Sequence, residues 1–123
     1  MSKQAIVAKN GPPPVGPYSP AVKAANLIFV SGQTGADASG KLPDNIEAQT
    51  EQVFANLKAI LDAAGKQFDD AVRVGVYLTN MADFQRMNAV YAKHFSQPYP
   101  ARTTIGVAAL PGGAAVEIDM WVG

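Results

Sequence analysis

The sequence predicts an α+β fold, with two amphipathic helices laid on one face of a single sheet. Three observations carry that prediction. Residues 71–78 ("AVRVGVYL") and 115–122 ("AVEIDMWV") alternate with period two, the signature of half-buried strands. Residues 44–64 and 83–95 instead repeat their apolar side chains at helical spacing. The order of these segments is strands, helix, strand, helix, strands, with no internal repeat.

The chain has 123 residues, which suits a single domain over 1–123. Residues 10–20 ("NGPPPVGPYSP") hold five prolines and two glycines, so they form a stiff loop rather than a helix or central strand. Residues 26–32 ("NLIFVSG") are an apolar run closed by Ser-Gly and read as a buried strand. Residues 34–44 are loop by composition. The first helix follows, with Asp44 as its N-cap and Glu47 at capping-box spacing. Val53, Phe54, Leu57, Ile60, Leu61 and Ala64 form its apolar stripe, and Gly65 ends it.

In the strand over 71–78, Val72, Val74, Val76 and Leu78 point one way and Arg73, Gly75 and Tyr77 the other. The second helix places Phe84, Met87, Tyr91 and Phe95 on one face. Residues 99–110 ("YPARTTIGVAAL") read as a buried strand with an arginine near its start. In the last strand Val116, Ile118, Met120 and Val122 oppose Glu117, Asp119 and Trp121. If the valine faces meet the helices, Tyr77 and Trp121 lie on the other face of the sheet. That face is too apolar to stay wet, which points to a symmetric oligomer.

Ten Lys and Arg balance ten Asp and Glu. With no basic stripe, a nucleic-acid partner is not expected. The absence of cysteine excludes disulfides, thiol catalysis and thiolate metal sites, and suits a reducing compartment. No apolar run approaches the roughly 18 residues of a membrane helix. The opening residues lack an apolar signal core. A soluble, cytoplasmic protein is the expectation.

Arg102 is one of three arginines, with Arg73 and Arg86. Its planar fork suits a carboxylate. Spacing alone leaves open whether that carboxylate belongs to a ligand or to Asp119 or Glu117. Glu117, in a terminal strand on the face away from the helices, is placed to exchange a proton or to pair with Arg102. Ser31-Gly32 either permits close approach of a ligand or merely makes a turn. Tyr18, between Pro17 and Ser19-Pro20, offers an aromatic wall and a hydroxyl, or simply packs under the proline loop. Asn88 lies beside the apolar stripe of the second helix, where such a group more often bonds nearby backbone. His94, the single histidine, suits a surface or helix-end role, and without cysteine no metal site is expected.

Six ordered blocks carry a further signal: "GPYSPA" (16–21), "IFVSGQTG" (28–35), "EAQTEQVFANLKAILDAAG" (47–65), "VYLTNMADFQRMNAVYAKHF" (76–95), "PARTTIGVAALP" (100–111) and "VEID" (116–119). Over nearly its whole length the chain resembles the RidA/YjgF family of small imine deaminases. The resemblance implies a chorismate-mutase-like α+β fold and a homotrimer with three clefts between subunits. It implies hydrolysis of reactive 2-imino acids, or their enamine tautomers, to 2-keto acids and ammonia, with no cofactor and no metal.

By the same resemblance, Arg102 holds the substrate carboxylate and Glu117 orients or activates water. Tyr18 reaches the cleft from a neighbouring subunit, Ser31 and Gly32 form its edge, and Asn88 lines or supports it. Many relatives carry cysteine where this chain has Thr104, whose hydroxyl is then a substrate contact. Pro20 stands where glutamine is common. Other readings are an aminomuconate-type or pyrimidine-catabolic deaminase, and a chaperone-like or ligand-binding trimer without chemistry.

Overall fold

The structure is a computed structural model and describes residues 2–9 and 11–123; Asn10, the first residue of the proline-rich stretch, lies outside them. Six strands form one mixed sheet: β1 (Gln4–Ile6), β2 (Ala21–Ala24), β3 (Leu27–Thr34), β4 (Ala71–Leu78), β5 (Ala101–Gly106) and β6 (Val116–Val122). Their spatial order is β1-β2-β3-β6-β4-β5. Only the β4–β5 pair is parallel. Since β3 and β4 both run antiparallel to β6, they are parallel to each other. The helix α1 (Ile46–Ala64) therefore connects β3 to β4, and α2 (Phe84–Tyr91) connects β4 to β5, as two parallel crossovers. Both crossovers step in the same direction across the sheet. Right-handed connection then puts both helices on one face, as the sequence predicts.

Local chemistry sets the element ends. Asn45, not Asp44, caps α1: its backbone is extended and its side chain accepts from the Ala48 N–H. Ile46 begins the helix immediately after it, so the first unpaired N–H groups lie within reach of Asn45. Glu47 is thereby free to pair with Arg86 of α2 at 2.6 Å. Gly65 closes α1 in the left-handed conformation, φ 70°. The second helix is shorter than its apolar stripe; residues Ala92–His94 tighten into a 3-10 turn.

The core lies between helices and sheet. Val53, Phe54, Leu57 and Leu61 of α1 meet Val74, Val76 and Leu78 of β4 and Val116, Ile118 and Met120 of β6, all at most 1% exposed. Three strand assignments change. Val72 is exposed, because the β4–β6 register shifts between Ala71 and Arg73 and Ala71 takes the inward position. The strand β3 alternates rather than being buried on both sides: Ile28 and Val30 face the core and Phe29 faces out. Strand β5 is an edge strand with β4 as its one neighbour, and Ala101, Thr103 and Ile105 are exposed because they point to the sheet face without helices. No helix among the described residues is long and apolar enough to cross a membrane.

Candidate functional site

Arg102 faces the helices. In the parallel register it lies beside Val74, and Thr104 beside Val76, both valines being fully buried under the helix layer. There α2 offers Phe84, Asn88 and Tyr91, spaced four and three residues apart and thus on one stripe. The Arg102 Nη1 donates to Asn88 Oδ1 at 2.7 Å. Its guanidinium carbon lies 4.5 Å from the Tyr91 ring centroid and 5.7 Å from that of Phe84. None of the ion pairs among the described residues includes Arg102. The salt bridge to Asp119 or Glu117 is thus overturned, and so is a purely backbone-bonded Asn88. A neutral amide and aromatic faces hold this cation without neutralising it. Thr104 Oγ1 and Tyr91 Oη beside it are sealed from solvent and have no hydrogen-bond partner among the described residues.

Glu117 faces the other way. It lies between Thr34 of β3 and Tyr77 of β4 on the sheet face away from the helices. The β3–β6 register shifts between Val30 and Gln33, and Gly32 sits in that irregularity. A Cβ on Gly32 would overlap the Glu117 carboxylate, so only glycine lets the acid lie across the strand here. Burial pushes the Glu117 carboxyl above its ordinary value, and the charge of Asp119 adds to the rise. Asp119 itself accepts from the Tyr77 hydroxyl at 3.0 Å, with Arg73 Nη1 3.9 Å from its other oxygen.

The proline-rich loop is tied to this half of the site. Ser31 Oγ donates to the Ser19 carbonyl at 2.6 Å, and the Ser31 N–H donates to the Pro20 carbonyl at 2.9 Å. Tyr18 is half exposed; its hydroxyl accepts from the Val15 N–H at 3.4 Å. A groove of about 860 Å³ runs here, lined by Tyr18, Ser31, Gly32 and Glu117, with Val15 and Ile60 in its apolar wall. Arg102, Asn88 and Thr104 do not line it.

The anticipated residues therefore form two clusters: a cationic one around Arg102, Asn88 and Thr104, and an acidic one around Glu117, Gly32, Ser31 and Tyr18. The chain holds them on opposite faces of its sheet. Sequence reasoning placed Phe84 and Tyr91 in the apolar stripe and overlooked them as supports of Arg102. The Phe84–Asn88–Tyr91 spacing was the available signal. The Tyr77–Asp119 bond, between positions 42 apart, had none. His94 stacks on Phe54, ring centroids 4.0 Å apart, with Nε2 3.0 Å from Glu51. It serves the helix layer. Among the described residues no group of three or more His, Asp or Glu side chains is placed to share a metal ion.

The family described as Endoribonuclease L-PSP matches residues 8–122. A RutC family protein of Pyrococcus horikoshii is 44% identical over 119 residues, covering 95% of this chain and 94% of its own. A 2-iminobutanoate/2-iminopropanoate deaminase of Dermatophagoides farinae is 39% identical over 119 residues, 95% of this chain and 93% of its own. The crystal structure of RidA from an Antarctic Psychrobacter matches with a TM-score of 0.92 and 45% identity, over 97% of this chain and 98% of that one.

Proposed function

Because the chain belongs to the endoribonuclease L-PSP family, the RidA/YjgF group, we propose that it is a hydrolytic deaminase of 2-imino acids and their enamine tautomers. One observation carries the reading. Arg102 is a half-buried guanidinium whose side-chain partner is an amide, so its charge is available to a small organic carboxylate. An arginine held beside apolar walls is costly without an anion, and a 2-imino acid supplies one.

The chemistry asks little more. The carboxylate on Arg102 fixes the orientation of the adjacent C=N carbon. Water polarised by Glu117 adds its oxygen to that carbon, and the nitrogen takes up a proton. Breaking the C–N bond of the resulting carbinolamine then releases ammonia and leaves the 2-keto acid. Glu117 takes a proton from the attacking water and passes it to the imine nitrogen, then takes the carbinolamine hydroxyl proton and passes it to the departing nitrogen as the C=O bond forms. Its raised proton affinity suits both directions of transfer. Tyr18, Ser31 and Gly32 wall the acid's side of the pocket, while Thr104 packs beside Arg102, two residues along β5, with its hydroxyl sealed from solvent. No cofactor enters these steps.

The two clusters meet when Arg102 of one protomer faces Glu117 of the next. A homotrimer in which the β5 edge of one chain, carrying Arg102, lies against the outer sheet face of the next, carrying Glu117, meets that need. In a single chain this face leaves Phe29, Ile105 and Trp121 between 37% and 45% exposed, an apolar surface suited to burial. The ten-to-ten charge balance gives no support to an RNA substrate.

The test is release of keto acid when an amino-acid oxidase or dehydratase generates the imine in the presence of the protein. Acceleration over the spontaneous hydrolysis supports the reading. A rate equal to the spontaneous one, with several imino acids tried, overturns it.

A further inference from the structure

Arg102 raises a question that its single amide partner does not answer: what holds a long, flexible cation in one orientation with no carboxylate to anchor it? Asn88 engages one of its five N–H groups. The larger contact is Tyr91, whose ring centroid is 4.5 Å from the guanidinium carbon, nearer than the 5.7 Å of Phe84. Tyr91 is itself fixed. It is 8% exposed, tilted against Phe95 at 4.6 Å and edge-on to Phe54 at 5.9 Å. One side of its environment is thus aromatic core and the other is the arginine.

Its hydroxyl is the second observation. The Tyr91 Oη is sealed from solvent and unpartnered among the described residues, although a buried hydroxyl nearly always finds a partner. A filler of the core at this point has no need of the oxygen; phenylalanine already does that work at position 95, one turn on. A phenol beside a guanidinium is different. Its lone pairs are an acceptor that keeps the cation unneutralised, which a carboxylate would not.

Resting on the deaminase reading, we propose that Tyr91 is a positioning residue for Arg102: its ring carries the guanidinium, and its buried, unpartnered hydroxyl is an acceptor at hand for an N–H group that Asn88 leaves free. Tyr91 does not touch the substrate in this account. It sets the direction in which Arg102 presents its fork, and so sets carboxylate affinity rather than the rate of the chemical step.

The experiment uses the full-length protein, 2-oxobutanoate as a stable carboxylate probe, and the variants Tyr91→Phe and Tyr91→Leu, with Arg102→Ala as the reference. Tyr91→Phe keeps the ring and loses the oxygen. Its dissociation constant for the keto acid, and its KM for the imine, rise about threefold to tenfold while kcat stays within about twofold. Tyr91→Leu loses both, and the same constants rise tenfold or more. A structural role alone would not split KM from kcat in that way. Independently of any ligand, the Arg102 Nε–H resonance carries the ring-current shift of Tyr91; it persists in Tyr91→Phe and vanishes in Tyr91→Leu.

If both variants bind 2-oxobutanoate like the parent while Arg102→Ala does not, the deaminase reading stands and the role of Tyr91 is overturned. If Arg102→Ala also binds like the parent, the carboxylate site itself is wrong and Tyr91 falls with it. A resonance unchanged in Tyr91→Leu overturns the ring's part whatever the ligand does.

Discussion

Arg102 and Glu117 stand on opposite faces of the same sheet, in strands β5 and β6 separated by β4. The register decides this: Arg102 lies beside inward-facing Val74, Glu117 beside outward-facing Tyr77. On the proposed reading both act on one small substrate, which requires them to come from different copies. Arg102→Ala and Glu117→Gln, each strongly impaired alone, are expected to complement when refolded together. With random mixing about a quarter of the sites pair one intact arginine with one intact glutamate. The check is keto-acid release from the mixture; a mixture as inactive as its parts contradicts the shared cleft.

Arg102→Ala alone is expected to lower kcat/KM about 10-fold to 100-fold or more, the loss of a charge-assisted bond to the carboxylate. The fold should survive, because no ion pair of the described residues depends on this side chain. Arg102→Lys keeps the charge but loses the planar fork, so it should recover only part of the activity. Steady-state kinetics beside thermal unfolding curves separate the two effects.

Glu117→Gln should act on the chemical step. The amide keeps the shape that lies across Gly32 but cannot take up the proton, so kcat falls about 10²–10⁴-fold with KM little changed. A rise in KM with kcat intact would assign Glu117 to binding instead.

The acid limb of the rate profile should follow Glu117. Burial first, and the Asp119 charge second, raise its proton affinity, so activity that needs the carboxylate is lost as pH falls through that raised value. Asp119→Asn removes the second cause and should move the limb to lower pH. Folding follows the same group with a definite sign. The folded chain keeps the Glu117 proton to higher pH than the unfolded chain does. Its contribution to stability is therefore full below the ordinary carboxylate value and is lost as pH rises through the folded one. Glu117→Gln should flatten that part of the stability curve, measured by denaturant unfolding across pH.

Gly32→Ala tests the close approach. The added methyl would overlap the end of the Glu117 side chain rather than backbone, so the carboxylate shifts and the fold remains. The expected result is a kcat loss approaching that of Glu117→Gln, with a melting temperature near that of the parent. Full activity would mean that the position of Glu117 over Gly32 is not the working one.

Much of this was legible in the residues themselves. Alternation over 116–122 assigned every side chain of β6 to its observed face, because a strand's period of two leaves no other choice once one face is apolar. The α1 stripe and the glycine that ends it were equally explicit. Val72 was not, since a register shift between strands breaks the period without a mark in the local pattern. Asp44 and Asn45 are adjacent good caps, and the choice between them rested on which reached Ala48. Strand β2, four residues long, is too short for a period to show.

For the site the division is sharper. Residue type and local pattern alone singled out the candidate groups: an arginine near the start of an apolar run, the one glutamate outside the first helix, and a Ser-Gly pair closing another apolar run. Periodicity ties each residue to its own strand's faces, and it carried those assignments unaided. That Arg102 meets Asn88 and Tyr91 rather than the acids, and that Glu117 lies over Gly32 on the other side, was set by the assembled sheet and helices. Those outcomes depend on strand order and on the parallel pairing of β4 with β5. Strand pairing is a long-range choice, made by the burial of the whole sheet against two helices, and no local stretch of chain encodes it.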